Sequence, residues 1–294
     1  MARVLDAISA QDLDASEWDL LVVDNNSSPA VDGRPFIRDR GIRVKVEPRQ
    51  GLAAAREFGV RHTQGDIIVF VDDDNVISSE YLRTTAGIFA DSRIGVISGA
   101  IFPEYEKHPG PWFKDEESRL AIRRPPTEGT YLTNIPIFND YFPIGAGMAV
   151  RRGVISSYFK SIAAGSSYIP GRVGSRLSAG EDIDLDFFAI SEGYLVGTAG
   201  SLKLTHIIPA ERTSPNYLSR LAIGATESAA QVNSKWAGRF GVDVFESFAT
   251  SRRKLLIQCV FAACRSWNPH YRIRYHSLRT LLKVSRAARH KAHN

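Results

Sequence analysis

The sequence predicts an α/β fold: a Rossmann-like, mixed and mainly parallel sheet flanked by helices over residues 1–213, followed by a helical extension over 214–294. Three observations lead there. Short apolar runs alternate with helix-patterned segments through the first two-thirds of the chain. The run Ile67-Ile68-Val69-Phe70-Val71 is apolar without alternation, the pattern of a strand covered on both faces. Beyond Ser214 only helical patterning remains, interrupted at Asn268-Pro269.

Element by element, Val4-Leu5-Asp6-Ala7 reads as helix. Leu20-Leu21-Val22-Val23 is a strand ending at Asp24, and Asn25-Asn26-Ser27-Ser28-Pro29 form the turn behind it. A second strand falls at 42–46, a helix at 51–63 closed by Gly65, a helix at 79–90 and a strand at 94–98. Residues 108–143, rich in Pro, Gly and aromatics, read as an irregular lid or binding loop. Strand returns at 148–150, helix at 181–191 and strand at 194–208.

Composition narrows the class. With 44% hydrophobic and 23% charged residues the chain is that of an ordinary globular protein. The first residues lack the apolar stretch of a signal peptide, and no apolar run of about 18 residues offers a bilayer span. Cys259 and Cys264, five apart in a helical pattern, point to different sides and do not suit a mutual disulfide. A reducing, cytoplasmic setting follows. The net charge of +5 is uneven: residues 251–294 hold 11 Lys and Arg and no acid, whereas residues 1–250 hold 26 basic and 32 acidic residues. An acidic body argues against nucleic acid as a partner.

The chemistry centres on Asp72-Asp73-Asp74-Asn75, directly after the apolar strand. Ligands of open α/β sheets bind outside the carboxyl ends of strands, where these acids fall. Three adjacent carboxylates without a neighbouring Lys or Arg repel one another unless a cation intervenes. Oxygen ligands suit Mg²⁺ or Mn²⁺ shared with substrate phosphates. A solvated acidic turn is the plainer alternative.

These residues sit in a pattern that resembles family 2 glycosyltransferases. Val22-Val23-Asp24-Asn25-Asn26-Ser27 resembles that family's VVDNxS segment. Gln50-Gly51-Leu52-Ala53-Ala54-Ala55-Arg56 and then Gly65-Asp66 leading to Asp72-Asp73-Asp74 resemble its run from helix to DxD motif. Gly145-Ala146-Gly147-Met148-Ala149-Val150-Arg151-Arg152 looks like its acceptor-side strand, and Gly180-Glu181-Asp182 like its ED motif. The resemblance spans about Val4 to His206 and implies a GT-A fold with inverting transfer from a nucleoside diphosphate sugar.

Carried over residue by residue, the resemblance implies that Asp24, with Asn25, contacts the nucleotide base and that Arg56 lies near the base or diphosphate. Asp72, Asp73 and Asp74 hold the diphosphate and metal, Asp74 most directly, with His206 as a further ligand. Asp182 is the general base and Glu181 its neighbour; Gly145, Met148 and Trp112 face the acceptor. Each has a plainer reading. Asp24 opens a turn, Arg56 is a solvated helix residue, His206 is structural, Trp112 packs, and Glu181 and Asp182 answer a helix dipole. The chain also departs from the pattern: the family's first strand is absent, so its neighbours' edges would be exposed. Glu57 and Phe188 stand where Asn and Arg are frequent in the family.

The tail adds a partner. Leu255 to Cys264 is nearly all apolar and flanked by Arg252-Arg253-Lys254 and Arg265; Leu278, Leu281, Leu282 and Val284 alternate with Arg279, Lys283, Arg286 and Arg289. Basic amphipathic helices of this kind bind anionic membranes, which predicts a peripheral enzyme at the inner face of the cell membrane. Its acceptor is then a lipid-linked or cell-surface glycan. Packing of the tail on the body is one alternative; nucleic-acid binding is another, since Trp267, Tyr271 and Tyr275 interleave with Arg, although no RNA or DNA motif accompanies them. For the whole chain, the alternatives are an inactive nucleotide-sugar-binding family member and a nucleotidyltransferase.

Overall fold

Two sheets divide the computed structural model, which describes residues 1–292 except 168, 170, 172–176, 178 and 179, with side chains as far as residue 285. The chain runs through α1 (Ala2–Ser9), β1 (Val22–Asp24), α2 (Pro35–Arg38), β2 (Val44–Val46), α3 (Leu52–Arg61), β3 (Ile67–Val69) and β4 (Asn75–Ile77). It continues through α4 (Tyr81–Ile88), β5 (Ile94–Tyr105), β6 (Thr130–Thr133), β7 (Ala149–Arg151), α5 (Arg152–Ala163), α6 (Glu181–Ser191) and β8 (Leu195–Ile208). Four helices close it: α7 (Pro215–Phe240), α8 (Glu246–Ala249), α9 (Arg252–Cys264) and α10 (Pro269–Ala292). The fold is the expected mixed α/β class.

β1 and β2 pair in parallel as a small sheet of their own. The larger sheet has the order β3-β7-β5-β8-β4, with β6 also on β8. Its longest single pairing is parallel, with β5 and β8 running together from Ile94↔Leu195 to Tyr105↔Ile208. β7 is antiparallel to both β3 and β5, and β4 and β6 are antiparallel to β8. Among the described residues no strand bridges β1 and β3, so each ends its sheet. This is the open edge the sequence predicted. It explains why β3, apolar throughout, is only half-buried along its length.

The sheet is covered on both faces, as its alternation dictates. Val96 and Val150 point to one side and pack with Val154, Ile155, Phe187 and Trp236 of α5, α6 and α7. Their neighbours Ile97 and Ala149 point to the other, with Val4 and Ile8 of α1, Tyr81 of α4 and Phe89 just beyond it. Residues 108–143 are less irregular than expected, for they hold a 3-10 segment, Pro111–Leu120, and strand β6. β6 reads as loop in the sequence because it borrows its hydrogen bonds from β8 and leaves alternate residues exposed. α5 was not expected, although Val154, Ile155 and Tyr158 carry helical spacing. The Gly- and Ser-containing run before Gly180 lies largely outside the described residues.

Candidate active site

Topology gathers the predicted residues at one end of the larger sheet. β3 and β7 are antiparallel, and the Phe70 N–H donates to the Met148 carbonyl at 2.8 Å, so residues 70–74 leave the sheet beside 145–148. β4 pairs Asn75 with His206 of β8, and the Ile207 N–H donates to the Asp74 carbonyl at 2.8 Å. The acidic turn, the Gly145 loop and the end of β8 therefore adjoin. The N-terminal ammonium of Met1 donates to the Asp73 carbonyl at 2.6 Å, which puts the start of α1 there too.

Within the acidic turn Asp73 is exposed, Asp72 half-buried, and Asp74 half-buried with two neighbours. His206 Nε2 lies 3.5 Å from Asp74 Oδ2, and Arg212 Nη1 donates to the same oxygen at 2.8 Å. Burial opposes ionisation of Asp74, but His206 and Arg212 outweigh it and hold the carboxyl below the usual range. The sequence expectation that the acids lack a basic neighbour is thus corrected: Arg212, 138 residues away, reaches Asp74 because β8 returns alongside β4. His206 Nδ1 lies 3.0 Å from the Leu120 carbonyl. A carbonyl only accepts, so Nδ1 carries a proton there and Nε2 is the ring nitrogen that faces Asp74.

The second wall is α6. The Gly145 N–H donates to Asp182 Oδ2 at 2.9 Å, and the Ile183 N–H to Oδ1 at 2.9 Å. Three acids, Glu181, Asp182 and Asp184, occupy the first turn, where the helix dipole favours negative charge. Arg56 is buried, with Nη1 3.5 Å from Glu181 Oε1, Nη2 donating to the Gly145 carbonyl at 3.3 Å, and its guanidinium 5.2 Å from the Phe70 ring centroid. A Cβ on Gly145 would lie 2.6 Å from Arg56 Nη2, so a larger residue there would push the guanidinium off the Gly145 carbonyl. Arg56 thus belongs with the Glu181–Asp182 wall.

Asp184 and Asp186 differ sharply in their surroundings. Asp184 is fully buried and accepts from Tyr158 Oη, Lys235 Nζ and Trp236 Nε1, which bolts α6 to α5 and α7. Asp186, one turn after Asp182, is 0% exposed, and neither carboxylate oxygen has a hydrogen-bond partner among the described residues. Burial first, and the charge of Asp182 second, push its carboxyl well above the usual range and keep it neutral. Such a group costs stability. Asp186→Ala is expected to stabilise the fold by about 1–2 kcal/mol in urea melts, the cost of a buried unpaired polar group less a small cavity. The folded carboxyl binds its proton more tightly than the unfolded one, so wild-type stability should fall as pH rises above the unfolded value of about 4. The variant should lack that slope. A destabilised variant with an unchanged pH profile would count against a neutral, unpaired Asp186.

Other predicted residues take local roles. Asp24 accepts from the Ser27 and Val31 N–H groups at 2.8 and 2.9 Å; burial opposes its ionisation, but those donors and Arg34 keep the carboxyl below the usual range. It orders the loop after β1. Asn25 donates to the Glu47 and Arg49 carbonyls and accepts from the Gly51 N–H, pinning that loop to the start of α3. Trp112 packs edge-on against Phe113 in the cluster with Leu218, Leu221 and Ile273. The Met148 side chain is fully buried in the core, so only its backbone borders the site. Sequence reasoning missed Arg212, Asp186 and Arg123. Burial lowers the Arg123 guanidinium pKa, against the pull of Asp140 and Asp182. Only Asp186 left a signal, its four-residue spacing from Asp182.

Comparison with curated protein sequences found no significant match. Among solved structures, S. aureus TarS 1–349 in complex with UDP is similar at a TM-score of 0.48 and 13% identity, covering 98% of this chain and 87% of that one. The same TarS region in complex with UDP-GlcNAc gives 0.45 and 12%, with the same coverage. A family model described as Glycosyl transferase family 2 matches residues 1–159, more than half of the chain. The chain therefore belongs to glycosyltransferase family 2.

Proposed function

We propose that this glycosyltransferase moves a sugar, with inversion, from a nucleoside diphosphate sugar to a hydroxyl of a lipid-linked or cell-surface glycan, assisted by Mg²⁺ or Mn²⁺. The observation that carries the reading is the placement of Asp182. Its carboxylate is fixed by Gly145 N–H at the same sheet end as the acidic turn, but on a separate element. A base on one wall and a diphosphate site on the other let an acceptor hydroxyl attack the sugar from the face opposite the leaving group. Asp182 takes the hydroxyl proton as the new glycosidic bond forms and the bond to the diphosphate breaks. Glu181, paired with Arg56, orients the acceptor.

The donor set suits a divalent cation. Asp74 Oδ2 and His206 Nε2 supply one oxygen and one nitrogen, and among the described residues no group of three His, Cys, Asp or Glu side chains converges. Mg²⁺ and Mn²⁺ accept that pattern, taking one or two protein ligands and completing their shell with phosphate oxygens. The imidazole tilts the choice toward Mn²⁺. When bound, the cation stabilises the negative charge of the departing diphosphate. Arg212 donates to the oxygen a cation would use, so it would have to leave Asp74 for a cation to be held there, and its guanidinium would then be available to a diphosphate.

The basic tail gives a place of action, an anionic membrane surface. No helix among the described residues is long and apolar enough to cross a membrane. The reaction is tested by thermal melts of the full chain with UDP, GDP and ADP, each with and without Mn²⁺, followed by product analysis with the stabilising donor. A binding ligand raises the melting temperature by mass action. Sugar 1-phosphate exchange in place of glycoside formation would identify a nucleotidyltransferase, and donor binding without turnover would leave only a binding protein.

A further inference from the structure

The two tail helices are not used alike. α10 turns its apolar side inward: Ile273, Leu278 and Leu281 are buried, Ile273 with residues of α7 and the other two with α9. It is therefore not the free amphipathic helix that its sequence suggests, and the side chains of Arg286 and Arg289 lie outside the described residues. α9 is apolar on two opposite sides. Leu255, Cys259 and Ala262 pack with Leu278 and Leu281. At 100° per residue Leu256, Ile257, Val260 and Phe261 fall within about 140° on the other side. All four are exposed, Ile257 and Val260 at 62% and 63%. Trp267, three residues past the helix, is 84% exposed and prolongs the stripe.

Cations bracket these side chains. Arg252, Arg253 and Lys254 are exposed at the head of α9, and Arg265 at its foot lies 3.6 Å from the Phe261 ring centroid. No acid occurs anywhere from residue 251 onward. Large apolar side chains with a cationic rim and no carboxylate match a bilayer interface carrying anionic headgroups: acyl chains take the former, phosphates the latter. An exposed Trp at the margin fits the headgroup level. A protein partner would instead be expected to meet a rim of mixed polarity.

We infer that the outer side of α9 is a membrane-insertion face, seating Leu256, Ile257, Val260, Phe261 and Trp267 in the interface of an anionic bilayer. The inference rests on the peripheral-membrane reading above and specifies which of the two helices makes contact. With α9 lying in the plane of the surface, these side chains reach below the headgroups while Arg252, Arg253, Lys254 and Arg265 stay at phosphate level. α10 then acts as the brace that fixes the orientation of α9 against α7.

The test uses the full chain and sedimentation with vesicles of phosphatidylglycerol and phosphatidylcholine. Deleting the tail is unsuitable, because α10 packs against α7 and its loss would uncover Leu218 and Leu221. Val260→Ser combined with Phe261→Ser should lower the partition coefficient at least about tenfold, since each removes an apolar side chain from the interface. Melting temperature and UDP affinity should not change. Arg252→Gln with Arg253→Gln and Lys254→Gln should weaken binding at low salt only. If the wild type binds vesicles and the Val260/Phe261 variant binds equally, the insertion face is overturned while the membrane reading stands. If the wild type ignores anionic vesicles, both fall; self-association in sedimentation equilibrium that the same variant abolishes would assign the face to a second copy of the chain.

Discussion

Asp182→Asn is expected to lower sugar transfer by about 10²- to 10⁴-fold, the usual contribution of a positioned general base. An acceptor hydroxyl is a poor nucleophile at neutral pH, and Asp182 is the carboxylate that the Gly145 N–H fixes at the sheet end. Asparagine keeps the size and a carbonyl oxygen for that N–H, so melting temperature and donor affinity should persist while kcat falls. Glu181→Gln should cost less, because Glu181 faces Arg56 and the Gly180 N–H, roles that a neutral amide partly retains. Rates are to be measured in single turnover with saturating donor. Transfer by Asp182→Asn at the wild-type rate would move the base elsewhere, and Glu181 would be the next residue to examine.

The second large effect concerns the cation. UDP affinity should rise with Mn²⁺ by about 5- to 150-fold, the span of typical coupling energies, and reciprocally for Mn²⁺ with UDP. Asp74→Ala should abolish this coupling, since it removes the oxygen that faces His206 Nε2. Arg212→Ala should act in opposite directions. Freed of its ion pair, Asp74 should bind Mn²⁺ alone more tightly, while UDP without metal should bind more weakly for want of the guanidinium. Isothermal titration of each variant, with metal and nucleotide added in both orders, reads all of these. Equal UDP affinity for wild type in Mn²⁺ and in excess chelator would remove the metal from the reading. If Arg212→Ala leaves both affinities unchanged, its contact with Asp74 is structural only.

Much of the site was legible because its motifs lie at the ends of regular elements. The apolar run through Val71 announces a strand, so the acids that follow must fall at its carboxyl end. Glu181 to Ser191 is helix over the predicted span, and its first-turn acids mark its N-terminus. Asp24 and Asn25 follow a short apolar run in the same way. The irregular appearance of 108–143 misled because β6 takes its hydrogen bonds from β8, more than sixty residues on. The tail misled in the opposite sense: α9 and α10 both carry apolar and basic residues, and nothing in either pattern says which stripe is already covered.

By itself the sequence determined the class of fold, the order of the longer strands and helices, and which residue types stand at the strand ends. These follow from periodicity, turn residues and charge, which act within a few residues along the chain. Tertiary structure alone decided which groups meet. Asp74 gains Arg212, Gly145 joins Arg56 to Asp182, Asp186 is shut away without a partner, and α9 keeps its outer side in solvent. The reason is distance along the chain. Contacts between residues 37 to 138 apart depend on how strands pair and helices cover them, and no local pattern encodes that pairing.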